Sequence, residues 1–104
     1  MNIKQFAVRV VRNPKTTLLT VRQLALLAVL EEATQMATIR GLASELGMWK
    51  GVTTRNVSAL YCAGLVSKTT PAHDKRDCLI AITAKGVALL DEMRGAPGVR
   101  TRAA

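Results

Sequence analysis

Apolar positions recur at helical spacing through most of this chain and give way late in it to two short runs rich in β-branched residues. The opening segment, "MNIKQFAVRVVRN", fits two periods. Phe6, Val8 and Val10 alternate as in a strand, whereas Ile3, Phe6, Ala7, Val10 and Val11 follow a helical stripe. A helix is the preferred reading, broken by Asn13-Pro14. Thr20 followed by Gln23 forms a capping box, in which hydroxyl and amide each satisfy an orphan backbone N–H. It predicts a helix from about Val21 to Ala33. The middle of that helix, "LALLAVL", is apolar on every face. A surface helix shows a single apolar stripe, so this one must be covered on both sides, by the N-terminal segment or by a second subunit. Thr38 caps the next helix, "IRGLASEL", with Ile39, Leu42, Ala43 and Leu46 inward and Gly47 as its stop. A third runs from about Lys50 to Cys62, with Val57, Leu60 and Tyr61 inward and Gly64 as its stop. "LVSKTT" (65–70) and "CLIAIT" (78–83) read as strands joined by a polar, basic loop, 71–77. Thr83 caps a last helix, "AKGVALLDEMR", and residues 95–104 read as a frayed tail. There is no internal repeat and no low-complexity tract.

Helix, short turn and helix over residues 38–63 make a helix-turn-helix, and a following hairpin makes it winged. The expected fold is therefore mainly α with a small β-hairpin. Three parts follow: a basic and apolar arm (1–19) suited to dimerisation, a winged helix-turn-helix domain (20–94) and a flexible basic tail (95–104).

Composition narrows the function. The chain has 104 residues, 49% of them hydrophobic, but one each of Phe6, Trp49 and Tyr61, so the core of its single domain must be aliphatic. Its net charge is +8. Lys4, Arg9, Arg12, Lys15 and Arg22 all precede the first acid, Glu31. Such a surplus points to a polyanionic partner: DNA, RNA or an acidic membrane. Cys62 and Cys78 form no CxxC pair, and His73 is the sole histidine, too few ligands for structural zinc. Both cysteines read as free core thiols of a reducing cytoplasm. There is no signal-peptide pattern, and the longest apolar run, Leu24 to Leu30, is far too short to span a membrane. No nucleophile–base pair, flanking carboxylates or glycine-rich phosphate loop is evident, so neither an enzyme nor a cofactor is expected.

The DNA-contact candidates follow from the fold. Lys50, Thr53, Thr54 and Arg55 occupy the first turns of the second helix of the motif, where base and phosphate contacts are made. Gly51 permits close backbone approach to a phosphate. Trp49 is either a contact to the DNA backbone or a plug over the turn. In the wing, Arg76 is placed to enter a narrow minor groove, with Asp74 two residues away to hold its guanidinium. Lys68 and Lys75 are phosphate neighbours. His73 reads as an exposed turn residue.

At these residues the sequence resembles the MarR family of winged-helix transcription regulators, from Leu19 to about Met93. "LTVRQLALLAVL" is similar to the family's opening LTxxQ helix. "LASELGMWKGVTTRNVSALYCAGLV" fits its recognition segment without a gap. "DKRDCLIAITAKG" fits its wing motif through Asp74, Arg76, Thr83 and Gly86. Trp49 stands where the family usually has a Ser-like cap, Asn56 at a usually apolar position, and Val52-Thr53 inverts a polar–apolar order. The resemblance implies a sequence-specific regulator on double-stranded DNA, expected to be a repressor, cytoplasmic and homodimeric. Family members usually dimerise through long terminal helices and bind small ligands between these and the DNA-binding core. The short arm and the end of the last helix near Arg94 lead to the expectation of a short form without a small-molecule ligand. Two other functions remain open: an adaptor or inhibitor docking on a protein machine, and a DNA-binding accessory in replication or partition of a small replicon.

Overall fold

The capping box at Thr20 forms as the sequence requires. Its hydroxyl accepts from the Gln23 N–H at 3.1 Å, and the Gln23 side chain accepts from the Thr20 N–H at 3.2 Å. From that start the chain, seen in a computed structural model that describes residues 2–15, 19–70 and 78–94, builds its core helix. The element order is α1 (Ile3–Arg12), α2 (Val21–Glu32), β1 (Ala37–Thr38), α3 (Ile39–Leu46), α4 (Lys50–Cys62), β2 (Val66–Thr69), β3 (Leu79–Ile82) and α5 (Ala84–Arg94). The expected winged helix-turn-helix is present.

Leu26, Leu27 and Leu30 of α2 sit at the centre, against Leu42 of α3, Val57 and Leu60 of α4, Val66 and Ile80 of the sheet, and Leu89, Leu90 and Met93 of α5. Each such side chain contributes about 1.5–3 kcal/mol by leaving water. Thr38 caps α3 by accepting from the Gly41 N–H at 3.0 Å. Gly47 and Gly64 end α3 and α4 in the left-handed region, at φ 63° and 79°, where a Cβ would be strained.

The hairpin gains a strand that the pattern does not reveal. The sheet has order β1-β3-β2, all antiparallel, with Ala37 opposite Ile80 and Thr38 opposite Leu79. Two residues are too few for alternation to show. Their pairing ties the front of α3 to the wing, so Thr38 is at once a strand end and a helix cap.

The N-terminal segment is helical, capped by Asn2, whose side chain accepts from the Gln5 N–H at 2.8 Å. Phe6 and Val10 pack on the core. Polar contacts fasten the end of α1 to α5. Arg9 donates to the Arg94 carbonyl at 2.8 Å, Asn13 to Glu92 at 3.0 Å, and Lys15 pairs with Glu92 at 3.3 Å. Arg94 itself pairs with Glu31 of α2 and, at 2.5 Å, with Asp91. The Glu31 hydrogen bond, aided by the charges of Glu31 and Asp91, raises the Arg94 guanidinium above its ordinary pKa against partial desolvation. These contacts hold α1 against the core and α5, and its apolar residues face α2 across a groove.

Two inward assignments are corrected. Thr53, Val57 and Leu60 form the buried stripe of α4. Tyr61 falls at the edge of that stripe and is 49% exposed. Cys62, one residue further on, is exposed and is not a core thiol, whereas Cys78 is half-buried and packs against the core; both are free.

Candidate nucleic-acid interface

The start of α4 is unusual in its chemistry. Trp49 precedes it and offers no side-chain cap, and no acidic residue lies in the first turn. The positive end of the helix dipole is therefore left uncompensated. Trp49 is 83% exposed, which removes the reading of a plug over the turn. Lys50, Gly51, Thr54 and Arg55 are all exposed on the two turns that follow. A Cβ at Gly51 would meet nothing within 4 Å, so no neighbour requires glycine there and the backbone is open to approach.

Thr53 does not belong to this surface. It is fully buried, and its hydroxyl donates to the Trp49 carbonyl at 2.9 Å. That bond satisfies the hydroxyl inside the helix and leaves the methyl to pack, so a polar residue sits at a core position at little cost. The expected contact at Thr53 is withdrawn on this ground. The Thr54 hydroxyl likewise donates to the Lys50 carbonyl at 2.9 Å, but Thr54 is exposed and keeps an acceptor lone pair facing outward.

A polar connection that sequence reasoning missed joins α4 to α2. The Gln23 amide donates to Asn56 Oδ1 at 3.2 Å, and Asn56 Nδ2 donates to the Val52 carbonyl at 2.9 Å. The signal was present in the unusual amide at position 56; its partner lies 33 residues earlier and could not be named. At the other end of α4, Lys85 donates to the Ala63 carbonyl at 2.8 Å, which compensates the negative end of the dipole.

Lys68 on β2 is exposed, and its ammonium sits 5.0 Å from the centre of the Tyr61 ring, within cation–π range. This contact brings the exposed Tyr61 ring and the lysine together at the junction of α4 and the wing. The remaining wing candidates, Asp74, Lys75 and Arg76, with His73, lie outside the described residues.

Among the described residues no group of three or more His, Cys, Asp or Glu could hold a metal ion, and no helix is long and apolar enough to cross a membrane. Away from α4, an apolar groove of about 500 Å³ runs between α1 and α2, lined chiefly by Ile3, Phe6, Val10, Val11, Val21 and Leu24. Ile3 and Val21 at its rim are each 83% exposed.

Comparison with known proteins bears on both surfaces. The profile described as MarR family matches residues 19–78. Comparison with curated protein sequences finds no match. Among solved structures, the chain is similar to RV1404 of Mycobacterium tuberculosis, with TM-score 0.77 and 20% identity over 95% of this chain and 65% of that one. It is similar to a MarR-family transcriptional regulator of Rhodococcus sp. RHA1, with TM-score 0.71 and 26% identity over 95% and 69%. It is also similar to CouR of Rhodococcus jostii RHA1, solved bound to p-coumaroyl-CoA, with TM-score 0.68 and 28% identity over 93% and 67%. The chain spans about two thirds of the length of these structures. A ligand-bound protein among them, and an apolar groove here, leave the expectation of no small-molecule ligand without support.

Proposed function

The chain belongs to the MarR family of transcriptional regulators, and we propose that it acts by binding double-stranded DNA sequence-specifically, as a homodimeric repressor in the cytoplasm. The observation that carries this reading is the exposed, acid-free start of α4, where Lys50, Thr54 and Arg55 stand together on the second helix of a helix-turn-helix. Lys and Arg meet phosphates and guanine edges; the Thr54 lone pair can accept from a base amino group. Trp49 and Gly51 flank them, and Lys68 adds a phosphate contact beside the helix. From the sequence motif alone, Arg76 held by Asp74 enters the minor groove, with Lys75 on a phosphate. Repression needs only occupancy of a promoter.

The test is selection from a pool of random duplexes, followed by gel shifts on the DNA upstream of the gene. An inverted repeat with half-sites about one helical turn apart is expected. Failure to retain any duplex over non-specific competitor would end the reading and favour an adaptor on a protein machine.

One winged helix covers a short site, so two are needed, and the exposed Ile3, Val11 and Val21 around the α1–α2 groove supply an apolar surface for pairing. Replacing Ile3 and Val11 together by glutamate should leave the fold intact, because both side chains are solvent-exposed in the single chain. It should convert dimers to monomers in sedimentation, and operator affinity should fall by about tenfold or more as the second half-site is lost. A wild-type protein that sediments as a monomer at high concentration would contradict this.

A further inference from the structure

We infer that Gln23 and Asn56 form a positioning link that sets the rotation of α4 about its own axis, and hence which base edges Thr54 and Arg55 can reach. The inference rests on the DNA-binding reading and adds to it the residues that aim the helix.

Apolar packing leaves the roll of α4 undecided. Val57 and Leu60 bury one face of α4, but such contacts are non-directional and tolerate a small roll of the helix. Hydrogen bonds do not, because they weaken steeply with distance and angle. Side-chain atoms on a helix lie at a radius of about 5 Å, so a roll of about 20° moves them by roughly 2 Å. Such a roll breaks the 3.2 Å bond from Gln23 to Asn56. It also carries the tips of Thr54 and Arg55 off any base edge they address.

The link is directional at both ends. Gln23 is held by its own capping box, since its oxygen accepts from the Thr20 N–H. Only its NH2 is left to donate, and it donates to Asn56 Oδ1. That choice orients the Asn56 amide, whose NH2 then donates to the Val52 carbonyl within α4. The chain of bonds therefore runs from the first turn of α2 to the first turn of α4. Both side chains are half-buried, so water competes only partly for these groups. An uncapped helix start next to an exposed Trp49 has little else polar to hold its roll.

Two substitutions separate this role from folding. Gln23→Glu retains the acceptor that caps α2 and removes the donor to Asn56; it can rejoin Asn56 only if that amide turns over and gives up its bond to the Val52 carbonyl. Asn56→Leu is uncharged, similar in size and unable to make either bond. Each variant and the double variant are compared with wild type by random-duplex selection, by affinity for the selected site and for non-specific duplex, and by urea unfolding. Cooperative unfolding near the wild-type midpoint is expected for at least Asn56→Leu. The ratio of specific to non-specific affinity should fall about tenfold in each single variant, the size of one lost base contact. The ratio is the readout because the charge added by Gln23→Glu weakens both kinds of binding alike. The double variant should lose no more than either single one, as members of a shared link do. Unchanged ratios, or equal losses on specific and non-specific DNA, would overturn the inference. If wild type itself selects no site, the DNA-binding reading fails first and the link has nothing to aim.

Discussion

Replacing Gly86 by alanine should destabilise the protein by about 3 kcal/mol, the upper part of the range for overpacked interiors. Gly86 is buried in the first turn of α5. A Cβ there would lie 2.5 Å from the Leu65 carbonyl oxygen and 2.7 Å from Ile82 Cγ1. Neither neighbour can give way cheaply. The Leu65 carbonyl accepts from the Thr83 N–H at 3.1 Å, so moving it breaks a backbone bond. The Thr83 hydroxyl adds two more ties, donating to the Gly64 carbonyl at 2.7 Å and accepting from the Gly86 N–H at 3.1 Å. The start of α5 is thus clamped to the turn that follows α4, and the added methyl must lift one from the other. Leu89, Leu90 and Met93 would then leave their places in the core. Alanine's better helix propensity, worth about 1 kcal/mol, is already included in this net figure and cannot reverse its sign. For a domain of this size the melting temperature should fall by roughly 12–24 °C. Gly51→Ala is the control. Its Cβ meets open space, so the propensity gain should show alone, as about 0.5–1 kcal/mol of added stability. A melting temperature for Gly86→Ala at or above wild type would refute the steric account.

The local devices of this fold are legible in the sequence because each works within a few residues. Thr20 with Gln23 announces α2, Thr38 announces α3, and Gly47 and Gly64 mark the ends of α3 and α4. The boundaries of α4, and with them the helix-turn-helix, follow from these stops. What escaped depends on contacts across the chain. Strand β1 exists only because Ala37 and Thr38 find β3 some forty residues later. Asn56 looks misplaced until Gln23 is beside it. Tyr61, one residue past Leu60 at the edge of the buried stripe, meets Lys68 of β2 over its ring. Thr53 is the instructive error. It stands four residues before Val57 and seven before Leu60, which is the spacing of a buried stripe, and the helix's own Trp49 carbonyl takes its proton. Its polarity argued for the surface; its period argued for the core, and the period was right. The α1 segment carried both periods, and packing of Phe6 and Val10 on the core favours the helix.

Operator binding should weaken by roughly 10³-fold when salt rises from 50 to 200 mM. The charge distribution behind this is lopsided. Fifteen lysines and arginines face seven acids. Three of those acids, Glu31, Asp91 and Glu92, are drawn to the α1–α2–α5 corner, where Arg94 and Lys15 pair with them. Lys50, Arg55 and Lys68 take no part in the ion pairs among the described residues, so their charge is available to phosphates. Each phosphate neutralised releases condensed counterions and adds about −0.9 to the slope of log K against log salt. Three such residues per subunit, doubled in a dimer, give a slope of about −5 before the wing contributes. Arg55→Ala should make the slope shallower by about 2 in the dimer, one for each subunit, and should weaken specific and non-specific binding together to the extent that it serves phosphates. Thr54→Ala should leave the slope unchanged and relax base preference at one position, because a neutral side chain releases no counterion. The measurement is a titration series by fluorescence anisotropy at four or more salt concentrations, on operator and on scrambled duplex. A wild-type slope below about 2 in magnitude would mean that the basic face does not track the DNA backbone. The surplus charge would then have to serve an acidic protein surface, and the helix-turn-helix would be a scaffold for docking.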